Sequence, residues 1–235
     1  MQSSLGALSV QSVRQLQALD STVHNVANVD TPGFKSVMLS FLPDNQSRWG
    51  GKVPTIPREA MQFTQGATIG TGNPLDMAIM GEGFFTIETS DGAAYTRDGR
   101  FSLNSEGELV NLSGDPVMGN AGVIRLQGDH ITIDMTGSLW VDGEVVDVLR
   151  ITRFEDVSAL KRTNAGYYFD KDNRAGAVDD QESRILERTL EQSNVSAVGE
   201  MVRMMEIQRV FESYQKVMQT IQELNQLSTN RVGRV

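Results

Sequence analysis

Near the start of the chain, apolar residues recur at steps of three and four: Leu5, Leu8, Leu16, Leu19, Val23 and Val26, with Ser12 in the gap. This spacing predicts an amphipathic helix with one apolar stripe. Pro32 disfavours helical backbone at Thr31, and Pro32-Gly33 suits the centre of a type II turn, so the helix should stop near Asn28. Residues 36–65 lose the period and carry Pro43, Gly50, Gly51, Pro54 and Pro57, which reads as an extended connector.

From Thr64 to about Phe154 the pattern changes to short β-type runs: Phe84-Phe85-Thr86-Ile87, Ile131-Thr132-Ile133 and Val145 to Ile151. Asp91-Gly92, Asp98-Gly99, Glu106-Gly107, Gly114-Asp115, Gly128-Asp129 and Asp142-Gly143 punctuate them at the spacing of successive hairpins. A glycine-rich, acidic stretch follows over 155–182. The helical period then returns through Met201, Met204, Ile207, Val210, Phe211, Tyr214, Val217, Met218, Ile221 and Leu224. Met204, Phe211 and Met218 lie seven apart, as do Ile207, Tyr214 and Ile221, a coiled-coil-like seam that lapses at Asn225 and Ser228. Glu200 and Glu206 early in this helix, with Lys216, Arg231 and Arg234 late, complement its dipole.

The predicted class is therefore α+β: N- and C-terminal amphipathic helices packing together around a central all-β domain rich in hairpins. The expected divisions are a helix and turn motif over 1–35, the connector over 36–65, the β domain over 66–182 and a helical segment over 183–235. Each terminal helix carries an apolar stripe that the β domain can cover only in part, so the remainder calls for a partner.

A net charge of -9 argues against nucleic acid, whose binding needs clustered Lys and Arg. No stretch approaches the roughly 18 consecutive apolar residues of a membrane span, so no membrane insertion is expected. The first helix lacks a basic segment followed by an unbroken apolar run, so a cleaved secretory signal is not expected either. The chain has no cysteine and 2 histidines, His24 and His130, which removes thiolate metal sites, disulfides and histidine clusters. The 22 glycines dilute the core-forming residues and imply a modest core with many turns.

Several segments combine into one resemblance. Asn25-Val26-Ala27-Asn28-Val29-Asp30-Thr31-Pro32-Gly33-Phe34-Lys35, directly after an amphipathic helix, resembles the signature of the flagellar rod and hook protein family. Gly72-Asn73-Pro74-Leu75-Asp76 leading to Gly81-Glu82-Gly83-Phe84-Phe85 looks like the same family, as does Tyr95-Thr96-Arg97-Asp98-Gly99-Arg100-Phe101. So do Leu190-Glu191-Gln192-Ser193-Asn194-Val195, Glu200-Met201-Val202-Arg203-Met204 and Gln208-Arg209; the blocks span nearly the whole chain in the family's order.

The resemblance implies an axial subunit of the flagellar basal body, exported by the flagellar type III apparatus. Its terminal helices would pack in the tube wall against other rod subunits and copies of itself. The short middle domain and the ending Asn230-Arg231-Val232-Gly233-Arg234-Val235 resemble the proximal rod proteins more than the distal ones, and there is no large inserted outer domain of the hook type. The residues expected at the assembly interface are Leu5, Leu8, Leu16, Leu19, Val23 and Val26 of the first helix, Met201, Met204, Ile207, Phe211, Tyr214, Met218, Ile221 and Leu224 of the last, and Asn25, Asn28, Thr31, Pro32, Gly33, Phe34, Asn194 and Val195. Asn25 and Asn28 suit backbone groups left open at a helix end, and Phe34 is large enough to anchor the connector in an apolar site. Met201, Met204, Met205 and Met218 suit either an ordinary helix-helix core or an adaptable seam.

Other chemistries find less support. Asp170-Lys171-Asp172-Asn173-Arg174-Ala175-Gly176 has the outline of a calcium loop, yet its fifth, sixth and twelfth positions are Arg174, Ala175 and Gln181, the wrong residue types. Gly70-Thr71-Gly72 and Gly81-Glu82-Gly83 complete no phosphate-binding motif and read as tight turns, so no cofactor is expected. Nothing assembles a Ser-His-Asp triad. A secreted wall-cleaving hydrolase would need two facing carboxylates, whereas most of these sit beside turn glycines. A stand-alone binding module would need terminal helices that satisfy themselves on the β domain.

Overall fold

The computed structural model describes residues 2–42, 56–128, 130–163 and 166–232, with backbone alone over 2–9, 40–42, 56–59 and 224–232. The chain divides into two compact units. One holds Met1–Ala27, Val37–Ala60 and Ser196–Val235; the other holds Asn28–Ser36 and Met61–Val195. Helices at both ends, with strands between them, make the fold α+β.

In the first unit, helix α1 runs Gln2–Ala27 and helix α2 runs Ala197–Val232. At 1.5 Å per residue, the 36 residues of α2 extend about 54 Å. Helix α2 continues past Asn225 and Ser228, where the apolar seam lapses, and no glycine or proline interrupts it between Gly199 and Val232. Ser196 caps its start, accepting from the Gly199 N–H at 3.3 Å. The two helices pack on one another, and α1 packs on the strand Val37–Leu42, which pairs with Ile56–Met61. The predicted connector thus contains a β-ribbon; Pro43, Gly50, Gly51 and Pro54 lie outside the described residues.

The second unit is β-rich. Among the described residues, six strands form an antiparallel sheet in the order Lys161–Arg162, Tyr168–Phe169, Gly92–Thr96, Phe84–Thr89, Ile151–Phe154, Ala177–Asp179. A three-stranded sheet joins Ile131–Ile133, Ser138–Val141 and Glu144–Val148. Its hairpin closes through Asp142 and Gly143, at φ 51° and 91°, the paired positive values of a type I′ turn. The run expected as a single strand from Val145 to Ile151 is divided. Leu149 N–H donates to Gly137 and Arg150 N–H to Met118, so the chain leaves one sheet and enters the other.

Three segments of the acidic stretch 155–182 supply strands of the large sheet, and strands continue to Glu191. Arg184–Glu187 pairs with Met77–Met80, and Thr189–Glu191 pairs with Thr68–Gly70. The main core gathers Met77, Ile79, Phe85, Ile87, Leu109, Ile124 and Leu139. A second cluster is aromatic: Phe84 meets Phe63, Phe154 and Tyr168 edge-on, with centroids 5.5 to 5.6 Å apart.

Candidate assembly site

The expected interface residues fall in both units. In the first, the inward positions of α2 are Met204, Ile207, Phe211, Tyr214, Met218 and Ile221, an alternation of three and four that keeps one apolar line facing the unit. Met201 lies off that line and is exposed, as are Val198, Val202, Met205, Val210 and Val217. Helix α1 is arranged the opposite way. Its buried side is small and polar, with Ala18, Thr22 and Asn25, whereas Val10, Val13, Leu16 and Val23 are each 46% to 54% exposed. Leu19 and Val26 are half-buried. The side chains of Leu5, Leu8 and Leu224 lie outside the described residues.

The polar side of α1 is satisfied locally. Thr22 and Ser21 return their hydroxyls to the Ala18 carbonyl, at 2.9 and 3.0 Å. Asn25 uses both ends of its amide on one residue, accepting from Val37 N–H at 2.8 Å and donating to Val37 O at 2.9 Å. It therefore pairs with a strand rather than capping the end of its own helix. Its Nδ2 also lies 3.3 Å from Glu200 Oε1. Beside these residues a groove of about 340 Å³ is bordered by Ala18, Thr22, Met38, Leu39, Ile207 and Val210.

In the second unit, Asn28 turns the chain: its carbonyl accepts from Thr31 N–H at 3.2 Å, and its side-chain oxygen accepts the Thr31 hydroxyl at 3.3 Å. Thr31 and Pro32 are half-buried. Gly33 sits at φ 69°, where an added Cβ would stand 2.3 Å from the backbone carbon of Arg97. Phe34 is buried, with the Arg162 guanidinium 4.3 Å above its ring centroid. Asn194 gathers this segment to its neighbours. Its Oδ1 accepts from Ser36 N–H at 2.7 Å, while its Nδ2 donates to Gln62 O at 2.7 Å and to Thr64 O at 3.1 Å. Val195 follows half-buried, its N–H on Ser193 Oγ.

Residues 78–141 match the Flagellar hook protein FlgE/F/G D1 domain, and residues 187–231 match the Flagellar basal body rod FlgEFG protein C-terminal region. The chain is 32% identical to the flagellar basal-body rod protein FlgF of Caulobacter vibrioides, over 97% of this chain and 98% of that protein. It is 33% identical to FlgF of Mesorhizobium japonicum, over 88% of each chain, and 32% identical to the rod protein FlgG of Agrobacterium fabrum, over 88% and 90%. The chain belongs to the flagellar basal-body rod protein family.

The rod-family C-terminal match begins within the strand Arg184–Glu187 and takes in Thr189–Glu191, Asn194 and nearly all of α2. It thus includes Glu191, to which the sequence alone assigns no role. Glu191 is fully buried; its Oε1 accepts from Lys35 Nζ at 2.5 Å and from Gly66 N–H at 2.8 Å, and its Oε2 lies 3.4 Å from Arg97 Nη1. Lys35 also donates to Thr64 O at 2.9 Å, and Arg97 to Gly81 O at 2.8 Å. Burial pulls the Lys35 ammonium below its ordinary value; the Glu191 carboxylate opposes this and Arg97 adds to it. Burial likewise lowers Arg97, against the pull of Glu191. Glu191 is the one charge in the Leu190–Val195 block, whereas Lys35 shares its block with Asp30 and Arg97 shares its block with Asp98 and Arg100, so the sequence does not single out the three together.

The calcium-like loop is occupied by its own backbone, since Asp170 accepts from Arg174 N–H and Ala175 N–H. Among the described residues, no group of three or more His, Asp or Glu is arranged to hold a metal, and no helix is long and apolar enough to cross a membrane.

Proposed function

We propose that this chain is a structural axial subunit of the bacterial flagellar basal-body rod, of the FlgF kind found in the proximal rod, which polymerises through its terminal helices and catalyses nothing. The observation that carries the reading is the outward apolar stripe of α1, in a chain alike to rod proteins over nearly its whole length. A helix that turns valines and leucine outward and polar groups inward is poorly suited to a solitary molecule and well suited to a tube wall. Covering Val10, Val13, Leu16 and Val23, each about half exposed, contributes about 1 kcal/mol per residue, repeated at every contact along the polymer.

In this reading the 204–221 line of α2 packs against α1 in coiled-coil fashion, and the interface comprises the helix residues named above, the 25–34 motif and Asn194-Val195. Its partners are copies of itself and other rod subunits, and the flagellar type III apparatus delivers it to the periplasmic part of the basal body. FlgG-type distal rod placement is the second reading, supported by the Agrobacterium relative.

The test is Val13→Lys with Leu16→Lys, expressed as the sole copy in a flagellated host lacking its own. The variant chain should keep its helical circular dichroism and its thermal midpoint within a few degrees, yet be missing from isolated basal bodies. Normal incorporation would remove the interface assignment.

A further inference from the structure

The geometry points to Lys35, Arg97 and Glu191 as a closure lock: the Glu191 carboxylate is what lets the Asn28–Ser36 segment dock onto the β unit, so that docking waits for the C-terminal strand Thr189–Glu191.

Three observations carry this. The side chains of Lys35 and Glu191 have no solvent exposure and that of Arg97 is 2% exposed, so water neutralises none of them. Two of the three are cations close enough to repel, because Arg97 disfavours the charged form of Lys35. Asp180 bears on Arg97, but the carboxylate that bears on Lys35 is Glu191. Finally, the single carboxylate joins segments that are remote in the chain. Lys35 and Glu191 are separated by 156 positions, and Gly66 N–H, just past the ribbon, binds the same oxygen as Lys35.

Docking Phe34 and Ser36 carries Lys35 into this site. Without Glu191 the ammonium would enter beside a guanidinium with a carbonyl as its remaining partner, which costs more than docking returns. With Glu191 present, the same step closes an ion pair. The inward-turned cation thus makes premature docking unfavourable, and the late carboxylate makes final docking favourable. Because Glu191 lies 156 positions beyond Lys35, the motif stays undocked in any chain that lacks the C-terminal strand. The lock itself is a property of the isolated chain.

The test is amide hydrogen exchange on the full-length chain, comparing wild type, Glu191→Gln, and Lys35→Met with Glu191→Gln together. The amides to follow are Ser36, which donates to Asn194, and Gln62, which donates to Ser36, against the core amides Leu109, Val117 and Ile124. E191Q should lose at least about 100-fold protection at Ser36 and Gln62 while the core amides keep theirs. The double variant, which has no ammonium to neutralise, should recover protection to within about tenfold of wild type. Retained protection in E191Q, loss that extends to the core amides, or a double variant as open as E191Q would each overturn the lock. None of these outcomes involves polymerisation, so a failed lock leaves the rod reading standing, and incorporation results leave the lock untouched.

Discussion

Replacing Gly33 with alanine separates two effects that are usually confounded. Gly33 has φ 69°, and a built Cβ lies 2.3 and 2.4 Å from the Arg97 carbonyl carbon and oxygen and 2.5 Å from Asp98 N. Gly143 has φ 91° and nothing within 4 Å of its Cβ. Gly143→Ala therefore carries the conformational penalty alone, about 1–2 kcal/mol. Gly33→Ala carries that penalty and a collision with backbone, which cannot rotate aside. Relief requires the segment to back away, weakening the 2.8 Å bond from Gly33 N–H to Glu191 O, worth about 1 kcal/mol. It also lifts Phe34 from its site, at about 1.5–3 kcal/mol if exposure is complete. The expected total is about 4–6 kcal/mol, with the segment's own docking energy as a ceiling because it can peel off instead. Urea unfolding of both variants, followed by circular dichroism, gives the difference directly. Two midpoints equivalent to within about 0.5 kcal/mol would refute the claim that close backbone approach, rather than φ alone, requires glycine at position 33.

Further outcomes follow from the same contacts. Phe84→Ala removes the ring shared by Phe63, Phe154 and Tyr168 and should cost about 3–5 kcal/mol in thermal or urea unfolding. Asn25→Asp loses the donor to Val37 O and sets a second carboxylate against Glu200, so it should cost about 1–3 kcal/mol and loosen α1, read as exchange at Val37 N–H. Burial tends to raise the Asp180 carboxyl, but Ser183 and Glu182 hold it below its ordinary value on balance. Its stabilising contribution is therefore present above the unfolded value near 4 and lost as pH falls through the lower folded value. Asp180→Asn should flatten that part of the stability–pH curve. Phe211→Asp puts an unpaired charge on the inward line of α2 and should cost helical signal as well as incorporation, leaving exchange in the β unit unchanged.

The elements that were legible in the sequence are those whose pattern is local. The stop after α1 follows from Pro32 and Gly33, and the hairpin at Asp142-Gly143 from the residues a type I′ turn demands. What escaped depends on distant partners. Nothing near Val37 or Ile56 announces that they pair, and the strands over 155–182 are two or three residues long, too short for any periodicity to register. Periodicity also showed that α1 has an apolar side without showing which way that side faces. The usual inference, apolar inward, fails for Leu16 and Val23, because Ala18, Thr22 and Asn25 take the inward positions. Glu191 carries no local signal, since one carboxylate in a strand acquires meaning when Lys35 and Arg97 are brought beside it.

The paired amide of Asn25 also fixes an orientation. A helix lying on a neighbour through small residues such as Ala18 and Thr22 has little to stop it rolling about its own axis. By binding both the N–H and the carbonyl of Val37, Asn25 sets the roll angle of α1. A slip of one residue would swing every side chain by about 100°. The direction in which Val13, Leu16 and Val23 point is then set by one side chain two residues from the end of the helix. In a polymer of the kind proposed above, an error in that roll would be repeated at every contact made by the exposed stripe, so that contact would depend on this one amide.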